Sequence, residues 1–415
     1  MSKRRKARYH EIYTAILAMS NGESQILPPR YRGRISLKLN GEGIETIPLE
    51  LEVYDFELPE TPGLRTAFSV KRSHIGKAFK NPEIADRQYE LLLDLCREYR
   101  ISPRLVGTAP QYRLNGDKLE IDWREFDRAA TNYFDDCKFT VYQPELGQLG
   151  SHDHFYRLPD MFKKNMKAGD PLFNRIWTQY IRQLCDHHRE HGWFDKMLFI
   201  IWDEPYTVWN EINLAARTAK EVEPALPIGV FIDHYEPAIA PNIDIWLFGS
   251  FVPTAYMLHN KELKEKRIWV YNSGGMDNFR IPAADLRAYY WLAEKYRIEG
   301  YLNSEINSYP SLAFQSGLIR NQYPAHLWMY PDAEGKELWG SLRLVHVRDG
   351  LDDYDYLYLY RELLRKRSEK MPEDIAGCFP ILKPDGEIMF SMVSGRELLN
   401  CRDRIAREIV RLKKE

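Results

Sequence analysis

Short apolar runs alternate with segments of helical periodicity through the middle of the chain. Eight such runs lie between Leu64 and Ile306, and each is rich in β-branched or aromatic residues. This alternation is typical of two α/β architectures, an eight-stranded barrel and a doubly wound open sheet. The predicted strands are LRTAFSV, PRLVGT, KFTVYQ, KMLFIIW, PIGVFID, DIWLFGS, RIWVYNS and GYLNSEI.

The segment after the first predicted strand helps to separate these two architectures. A doubly wound sheet usually carries a glycine-rich phosphate-binding turn there, whereas this chain has KRSHIGKAFK, with one glycine. A nucleotide cofactor is therefore unsupported, and eight strands favour the barrel. We predict an α/β fold of the (β/α)8 TIM-barrel type that uses no organic cofactor and no metal.

The two ends of the chain follow other patterns. RISLKL and TIPLELEVYDF flank Asn40-Gly41 with alternating apolar positions, which predicts a short β module. Beyond the barrel, the chain carries a long mixed segment and ends in the charged helix RELLNCRDRIAREIVRLKKE. The predicted organisation is an extension over 1–30, the β module over 31–62, the barrel over 63–320 and a tail that packs on it over 321–415.

Charge and hydrophobicity indicate which kinds of partner to expect and where in the cell the protein is located. Fifty-eight basic residues against 60 acidic ones leave a net charge of −2, which does not support binding to nucleic acid or a membrane surface. No stretch approaches the ~20 apolar residues that span a bilayer. His10 and Glu11 interrupt the N-terminal segment before its short apolar part, so the expected location is the cytoplasm.

Cysteines and aromatic residues add two further expectations. The five cysteines are odd in number and singly spaced, which predicts reduced thiols rather than a disulfide framework or a zinc site. Aromatic residues make up 13% of the chain and fit either a packed core or a carbohydrate cleft. Three tryptophans lie within predicted strands and are expected in the core: Trp202, Trp246 and Trp269.

Two adjacent carboxylates end the fourth predicted strand in the sequence FIIWDEP. Asp203 and Glu204 would lie at the C-terminal ends of the barrel strands, where such barrels hold their active sites. The alternative is an ordinary helix start, with Asp before Pro. Pro205 removes a hydrogen-bond donor and restricts Glu204 to extended geometry, and a strand that breaks up there lets both acids face one cleft.

Adjacency of the two acids favours a particular chemistry. Retaining glycosidases of the two-carboxylate kind hold their acids ~5–5.5 Å apart across the scissile bond, which sequence neighbours are poorly placed to do. Neighbours suit catalysis in which a 2-acetamido sugar supplies its own amide oxygen as nucleophile. Asp203 would then hold the acetamido N–H, and Glu204 would act first as general acid and then as base.

Two segments resemble glycoside hydrolase family 123, the β-N-acetylgalactosaminidases, and the wider uncharacterised domain family 4091. FIIWDEP is similar to the family's strand-end Asp-Glu-Pro, and LWMYPDAEGKELWGSLRLVHVRDGLDDYDYL is similar to its C-terminal signature. The resemblance covers roughly Val53 to Leu364. It implies a β-sandwich before a barrel, with Asp203 as stabiliser and Glu204 as acid/base. It also implies release of terminal β-linked N-acetylhexosamine, with N-acetylgalactosamine first, by a retaining oxazoline mechanism.

The chain departs from the family pattern in two places. Only about sixty residues precede the barrel, so the β module is either a truncated sandwich remnant or a minimal version. GYLNSEIN has Ser304 where the family typically has Trp. Two alternatives therefore remain, namely a glycosidase of the same fold acting on a sugar without an acetamido group, and a catalytically silent carbohydrate-binding protein.

Further candidate sugar-binding residues follow three later strands, with ordinary turns or surface positions as the alternative. They are Asp233, His234 and Tyr235 after the fifth strand, Tyr271 and Asn272 after the seventh, and Asn303, Glu305 and Asn307 around the eighth.

Other polar clusters receive structural predictions. The loop that holds His152 and His154 is expected to cover the cleft rather than bind metal, because no third ligand is identifiable. The histidines at 187, 188 and 191 are expected on a solvated helix face. Gly350 is expected to form a turn within a tail signature whose Arg–carboxylate pairs lock the tail on the barrel: Arg343, Arg348, Asp349, Asp352 and Asp353.

Overall fold

The computed structural model describes residues 30–39, 42–249, 260–263, 265–272, 283–307, 327–332, 334–382, 388–389 and 395–414. Its strands are β1 (Arg30–Leu39), β2 (Glu42–Glu52), β3 (Arg65–Phe68), β4 (Gln111–Asn115), β5 (Lys118–Asp122), β6 (Gly150–Ser151), β7 (His154–Phe155), β8 (Phe199–Asp203), β9 (Ile228–Phe231), β10 (Ile245–Phe248), β11 (Arg267–Asn272), β12 (Gly300–Asn303), β13 (Met329–Pro331), β14 (Leu338–Gly340), β15 (Ile381–Leu382) and β16 (Ile388–Met389). Its α-helices are α1 (Arg72–Ala78), α2 (Pro82–Glu98), α3 (Arg124–Thr131), α4 (Arg157–Phe162), α5 (Pro171–Glu190), α6 (Trp209–Val222), α7 (Ala283–Lys295), α8 (Leu342–Arg367), α9 (Glu373–Ala376) and α10 (Gly395–Lys414).

The central sheet has the strand order β3-β12-β11-β10-β9-β8-β6-β7. Neighbouring strands are parallel throughout, except for the short β6–β7 hairpin. Every residue of β9, β10 and β12 is buried, as expected for parallel strands that are covered on both faces. The predicted α/β class is therefore confirmed, but six of the eight predicted strands belong to this sheet, and β6 and β7 were not predicted.

The second and third predicted strands are much shorter than expected. PRLVGT contributes only a bridge from Pro103 to Phe68, and KFTVYQ only a bridge from Tyr142 to Met197. Within the described part of the chain, the named strands therefore form an open sheet. Backbone hydrogen bonds nevertheless run from Arg104 N to Phe68 O at 2.7 Å and from Gln143 N to Arg104 O at 2.8 Å.

The core confirms the prediction for the strand tryptophans. Trp202, Trp246 and Trp269 are each at most 1% exposed. Trp202 donates its indole N–H to the His152 carbonyl at 2.7 Å, so that the ring also anchors the loop after the third strand. None of the helices in the described ranges is both long enough and apolar enough to cross a membrane.

The predicted β module is an antiparallel hairpin of β1 and β2, in which Ile35 lies opposite Ile47. One face of this hairpin carries exposed apolar side chains, and the other carries ion pairs such as Arg32–Glu50 at 3.0 Å. The end of β2 contacts α10, because Arg407 pairs with Glu52 at 2.8 Å.

The tail is organised by α8, which runs without interruption through Gly350. The prediction that Gly350 forms a turn is wrong. A Cβ at this position would lie 2.2 Å from Tyr290 Cδ2, so the glycine instead permits close packing of α8 against α7. The predicted Arg–carboxylate lock is present at Asp353, which is fully buried and accepts a 2.8 Å hydrogen bond from Arg287 of α7.

The other members of the tail signature have varied partners. Asp352 pairs with Arg100, which follows α2, so this ion pair ties α8 to the C-terminal end of α2. Arg348 pairs with its neighbour Asp349 at 3.4 Å, within α8 itself. Arg343 donates to the backbone carbonyl of Leu327 at 2.5 Å, a contact that the prediction did not include.

Two further predictions about side chains are wrong. Cys378 and Cys401 form a disulfide with a Cα–Cα distance of 6.3 Å, which joins the segment after α9 to α10, and an odd cysteine count could not exclude one bridge. His188 is fully buried rather than solvated. Its Nδ1 contacts the Leu184 carbonyl at 2.7 Å and its Nε2 pairs with the Tyr142 hydroxyl, because this face of α5 packs against the third-strand segment.

Candidate active site

The backbone at the end of β8 separates the two adjacent carboxylates. Asp203 is the last residue of the strand, and Glu204 follows with φ of +47°, a left-handed conformation that non-glycine residues seldom adopt. The β8–β9 register also shifts between Ile200 and Trp202. Glu204 N still donates to the Phe231 carbonyl, at 3.1 Å. The chain thus turns between the acids, so each carboxylate has its own surroundings at the same end of the sheet.

Asp203 lies half-buried between β6 and β9. Burial raises the pKa of its carboxyl, the positive charge of Arg104 opposes that rise, and the negative charge of Glu204 adds to it. Ser151 of β6 donates its hydroxyl to Asp203 Oδ2 at 3.2 Å, which favours the ionised form. Asp203 is therefore a partly desolvated acid whose charge is supported by one hydroxyl and one guanidinium.

Glu204 points toward the end of β11. The buried Tyr271 donates its hydroxyl to Glu204 Oε1 at 2.5 Å. Burial and this hydrogen bond both raise the pKa of Tyr271, so the phenol stays protonated and serves as a donor. The pKa of Asp233 is raised by burial and by the charge of Glu204. The Tyr271 phenol thus contacts Glu204, and the charges of Asp233 and Asp203 also raise its pKa.

A glycine at the end of β10 makes room for this arrangement. A Cβ at Gly249 would lie 2.9 Å from Asp233 Oδ1 and 3.0 Å from the Tyr271 hydroxyl. Any larger residue would push one of these groups away from the site. The structure therefore brings together four residues that were predicted separately from the ends of three strands: Asp203, Glu204, Asp233 and Tyr271.

The remaining candidates after the fifth and seventh strands are placed differently. His234 is exposed and lies edge-on to Trp209 with 5.8 Å between ring centroids. Tyr235 packs against Trp246 with 5.0 Å between ring centroids. Burial raises the pKa of Tyr235, and a hydrogen bond with Glu262 raises it further. Asn272 ends β11, and its side chain lies outside the described part of the structure.

The candidates around the eighth strand are occupied by local contacts. Asn303 is fully buried and accepts from Glu305 N at 3.0 Å. Glu305 pairs with His74 at 2.6 Å and with Lys71 at 3.4 Å. Asn307 is also buried, and it accepts from Lys71 N at 2.9 Å and donates to the Lys71 carbonyl at 3.0 Å. These contacts favour a role in fixing the loop after β3.

Arg104 is the main member of the site that the sequence did not reveal. It donates to Gln143 Oε1 at 2.6 Å, and its guanidinium lies 5.2 Å from the Phe231 ring centroid. The sequence placed Arg104 near the start of a strand, and therefore away from the catalytic end. Because that strand is only a bridge at Pro103, Arg104 in fact follows it directly. Ser151 and Gln148 were missed for the related reason that β6 was not predicted.

One group of described residues has the geometry to hold a metal ion. The ligand atoms of Asp127, His187 and His191 lie within 4.8 Å of one another. His187 and His191 lie at the C-terminal end of α5, which leads into the start of β8, whereas Asp203 lies at the end of that strand. His187 also stacks on Trp123 at 4.2 Å between ring centroids. This group is therefore separate from the carboxylates.

A family comparison identifies the domain that carries this site. Residues 116–360 match the model described as glycoside hydrolase 123, catalytic domain, which is more than half of the chain. The chain belongs to glycoside hydrolase family 123. The match includes Asp203, Glu204 and Tyr271, and it confirms the resemblance seen in the sequence. Membership of family 123 makes this protein a glycosidase with a carbohydrate substrate.

One solved structure agrees at the level of the fold. A family 123 glycoside hydrolase from Clostridium perfringens superposes with a TM-score of 0.63 and 15% sequence identity, over 93% of this chain and 77% of that one. An endo-β-1,4-mannanase from Thermotoga petrophila gives a TM-score of 0.43 with 11% identity, over 72% and 77% of the two chains. Among curated proteins, no sequence matches this one.

Proposed function

We propose that this family 123 enzyme releases terminal β-linked N-acetylhexosamine, with N-acetylgalactosamine as the first candidate, with retention of configuration. The observation that carries the proposal is that the two adjacent acids at the end of β8 have different partners. Asp203 faces Ser151 and the positive charge of Arg104, whereas Glu204 receives the hydroxyl of Tyr271. Two adjacent acids with separate surroundings can take separate roles in a substrate-assisted reaction.

In the first step, Glu204 donates its proton to the glycosidic oxygen as the bond from C1 to that oxygen breaks. The acetamido oxygen of the same sugar attacks C1 from the opposite face and forms an oxazolinium ion. Asp203 accepts the acetamido N–H and balances the positive charge that develops on the ring. Ser151 and Arg104 support Asp203 in its ionised form, which is the form this role requires.

In the second step, Glu204 is ionised and removes a proton from water, which attacks C1 and opens the oxazoline. C1 is then inverted a second time, and the net outcome is retention. Tyr271 stabilises the ionised Glu204 through its 2.5 Å hydrogen bond and fixes the carboxylate in position. We assign Asp233 to a sugar hydroxyl, because it lies beside Tyr271 at the same end of the sheet.

We further infer that the sheet closes into a (β/α)8 barrel through the segments around Pro103 and Tyr142. Backbone hydrogen bonds already link Phe68, Arg104 and Gln143 across this side. The Clostridium perfringens enzyme, which hydrolyses glycolipid glycans and is similar over 93% of this chain, supports the same architecture and a glycan substrate. On this view the barrel spans about residues 63–320, between the β module and the tail.

The proposal is tested by hydrolysis of an aryl β-N-acetylgalactosaminide beside the matching aryl β-galactoside. The wild-type protein is expected to cleave only the acetamido substrate. Asp203→Asn and Glu204→Gln should each lower kcat/KM by about a thousandfold, while Glu221→Gln on the exposed face of α6 should change it little.

Two outcomes would contradict the proposal. Equal cleavage of both sugars would favour the alternative glycosidase that needs no acetamido group. Binding of the acetamido sugar without turnover, unchanged by either substitution, would favour a silent carbohydrate-binding protein.

A further inference from the structure

A cavity of about 330 Å³ lies at the same end of the sheet as the two acids, on the side formed by the first, second, third and eighth strand positions. Its lining includes Lys71, Arg104, Arg157 and Ser304, and we call it the basic cavity. Arg104 links this cavity to the reacting centre, because its charge acts directly on the Asp203 carboxyl. A group bound in the cavity would therefore lie beside a sugar at the acids.

The cationic side chains of the basic cavity are unequally neutralised. Lys71 already pairs with Glu305 at 3.4 Å. Arg104 contacts only neutral acceptors, namely Gln143 Oε1 at 2.6 Å, Gln148 Oε1 at 3.4 Å and Ser69 Oγ at 3.5 Å. Within the described part of the chain, no carboxylate lies within ion-pair distance of the Arg104 guanidinium.

Arg157, at the start of α4, likewise contacts a neutral acceptor. Its Nε donates to the Gln148 carbonyl at 3.2 Å, and its guanidinium lies 5.4 Å from the centroid of the Tyr156 ring. No carboxylate among the described residues forms an ion pair with it. Burial lowers the pKa of Arg104 to about 10, the negative charge of Asp203 opposes that lowering, and the nearby positive charge of Arg157 adds to it. Two half-buried guanidiniums thus repel each other across a cavity.

The lining of the cavity offers these charges little compensation, because Asp203, which acts on Arg104, lies outside it. Among the described residues that line the cavity, Glu145 is the one carboxylate, and its side chain is exposed. Placing like charges together on half-buried side chains is costly unless an anion neutralises them. A neutral sugar hydroxyl would not remove that cost, whereas a carboxylate or a sulfate ester would, since both match the planar fork of a guanidinium.

We propose that the basic cavity is a subsite for an anionic substituent of the sugar substrate. The substituent is a sulfate ester or a uronate carboxylate, held by Arg157 and Arg104. Both arginines already contact Gln148, Arg104 through the side-chain oxygen and Arg157 through the main-chain carbonyl. This proposal rests on the assignment of the neighbouring acids to glycoside hydrolysis. It narrows the substrate class from N-acetylhexosaminides in general to those that carry, or adjoin, a negative charge.

The test measures binding without turnover, so that its result does not depend on the catalytic assignment. Glu204→Gln protein is titrated by calorimetry with N-acetylgalactosamine, with its 4- and 6-sulfates, and with a disaccharide that joins it to glucuronate. At least one anionic ligand should bind about tenfold or more tightly than the neutral sugar, because hydrogen bonds between charged groups are stronger than those between neutral groups. The sulfated and uronate ligands distinguish the two sources of charge.

Added substitutions assign the preference to the cavity. Arg157→Gln in the Glu204→Gln background should reduce the ratio of anionic to neutral affinity to near one. Arg175→Gln, which removes an exposed arginine of α5, should leave the ratio unchanged. Equal binding of all the ligands, or a preference that survives Arg157→Gln, would overturn the subsite. Hydrolysis by the wild-type protein decides the proposed function separately.

Discussion

Glu204 has a backbone conformation that costs free energy and that local sequence does not require. A left-handed non-glycine residue costs on the order of 1–3 kcal/mol, and such residues persist where surrounding contacts over-determine them. In this site the Phe231 carbonyl holds the amide and the Tyr271 hydroxyl holds the carboxylate. The strain lets two consecutive side chains serve one site from different directions, which a regular strand would prevent.

Ser151 provides a test of the charge on Asp203. The acid limb of kcat/KM should report the ionisation of Asp203, and burial, which raises its pKa, should place this limb above that of an ordinary aspartate. Ser151→Ala removes a hydrogen bond that favours the carboxylate, so the pKa rises further and the limb moves to higher pH. Activity on the acid side should fall by about three- to tenfold, with a smaller change on the plateau.

The matched control for this experiment is Ser151→Thr, which keeps the hydroxyl and should keep the acid limb near its wild-type position. The measurement is the pH profile of kcat/KM for the three proteins on one aryl substrate. An acid limb that does not move in Ser151→Ala would contradict the assignment of Asp203 as an ionised group in the reaction.

Among individual residues, the sequence predicted the positions of those that lie at the end of a clearly defined strand. Asp203, Asp233 and Tyr271 were found because long apolar runs define β8, β9 and β11 clearly. Arg104 was not found, because its strand is a single bridge and its apolar run extends past the true end. The sequence also suggested carbohydrate contacts for Asn303 and Asn307, whose polar groups bond locally in the structure.

Helix α5 packs against the third-strand segment through a neutral histidine. Burial lowers the pKa of His188 to about 3. Above pH 6.5 the imidazole is neutral in both the folded and the unfolded chain. Between about pH 6.5 and 3 the unfolded chain binds a proton that the folded chain does not, so the free energy of unfolding falls as the pH falls.

The predicted size of this effect is at most about 1.4 kcal/mol per pH unit in that window. His188→Gln cannot take up the proton, so the slope of the unfolding free energy against pH should become shallower than in the wild type. Denaturant unfolding at a series of pH values measures both slopes. His154→Gln, at an exposed position, is the control and should keep the wild-type slope. Equal slopes for wild type and His188→Gln would contradict the buried neutral state.

Some helices could be predicted from the pattern of apolar residues and others could not. Helical periodicity between the predicted strands indicated the helices α2, α5 and α6, because each of them buries one stripe of side chains. The charged C-terminal segment was predicted as a helix and forms α10. Helix α8 was not, because its polar residues Asp353 and Asp355 are buried as well, which erases the stripe. Gly350 then suggested a turn, although the glycine serves close packing against Tyr290.

Across the whole molecule, the site depends on contacts between distant parts of the chain. Asp203, Tyr271 and Arg104 come from three separate strand positions, and the fold brings them close enough for their charges and dipoles to act on one another. The tail supports this sheet from outside through Asp353 and Arg287, and the Cys378–Cys401 disulfide fixes the tail's own helices. No local pattern in the sequence specifies these pairings, whereas the family resemblance did indicate their general arrangement.

The most direct test of the mechanism compares aryl β-N-acetylgalactosaminides whose acetamido group carries zero, one, two or three fluorine atoms. Fluorine withdraws electrons from the amide oxygen, so its nucleophilicity falls along the series while the leaving group stays the same. If the substrate's amide attacks C1, with Asp203 as stabiliser and Glu204 as acid and base, kcat should fall steadily. The total decrease should be on the order of a hundredfold or more. Rates that stay within about threefold across the series would contradict the substrate-assisted mechanism.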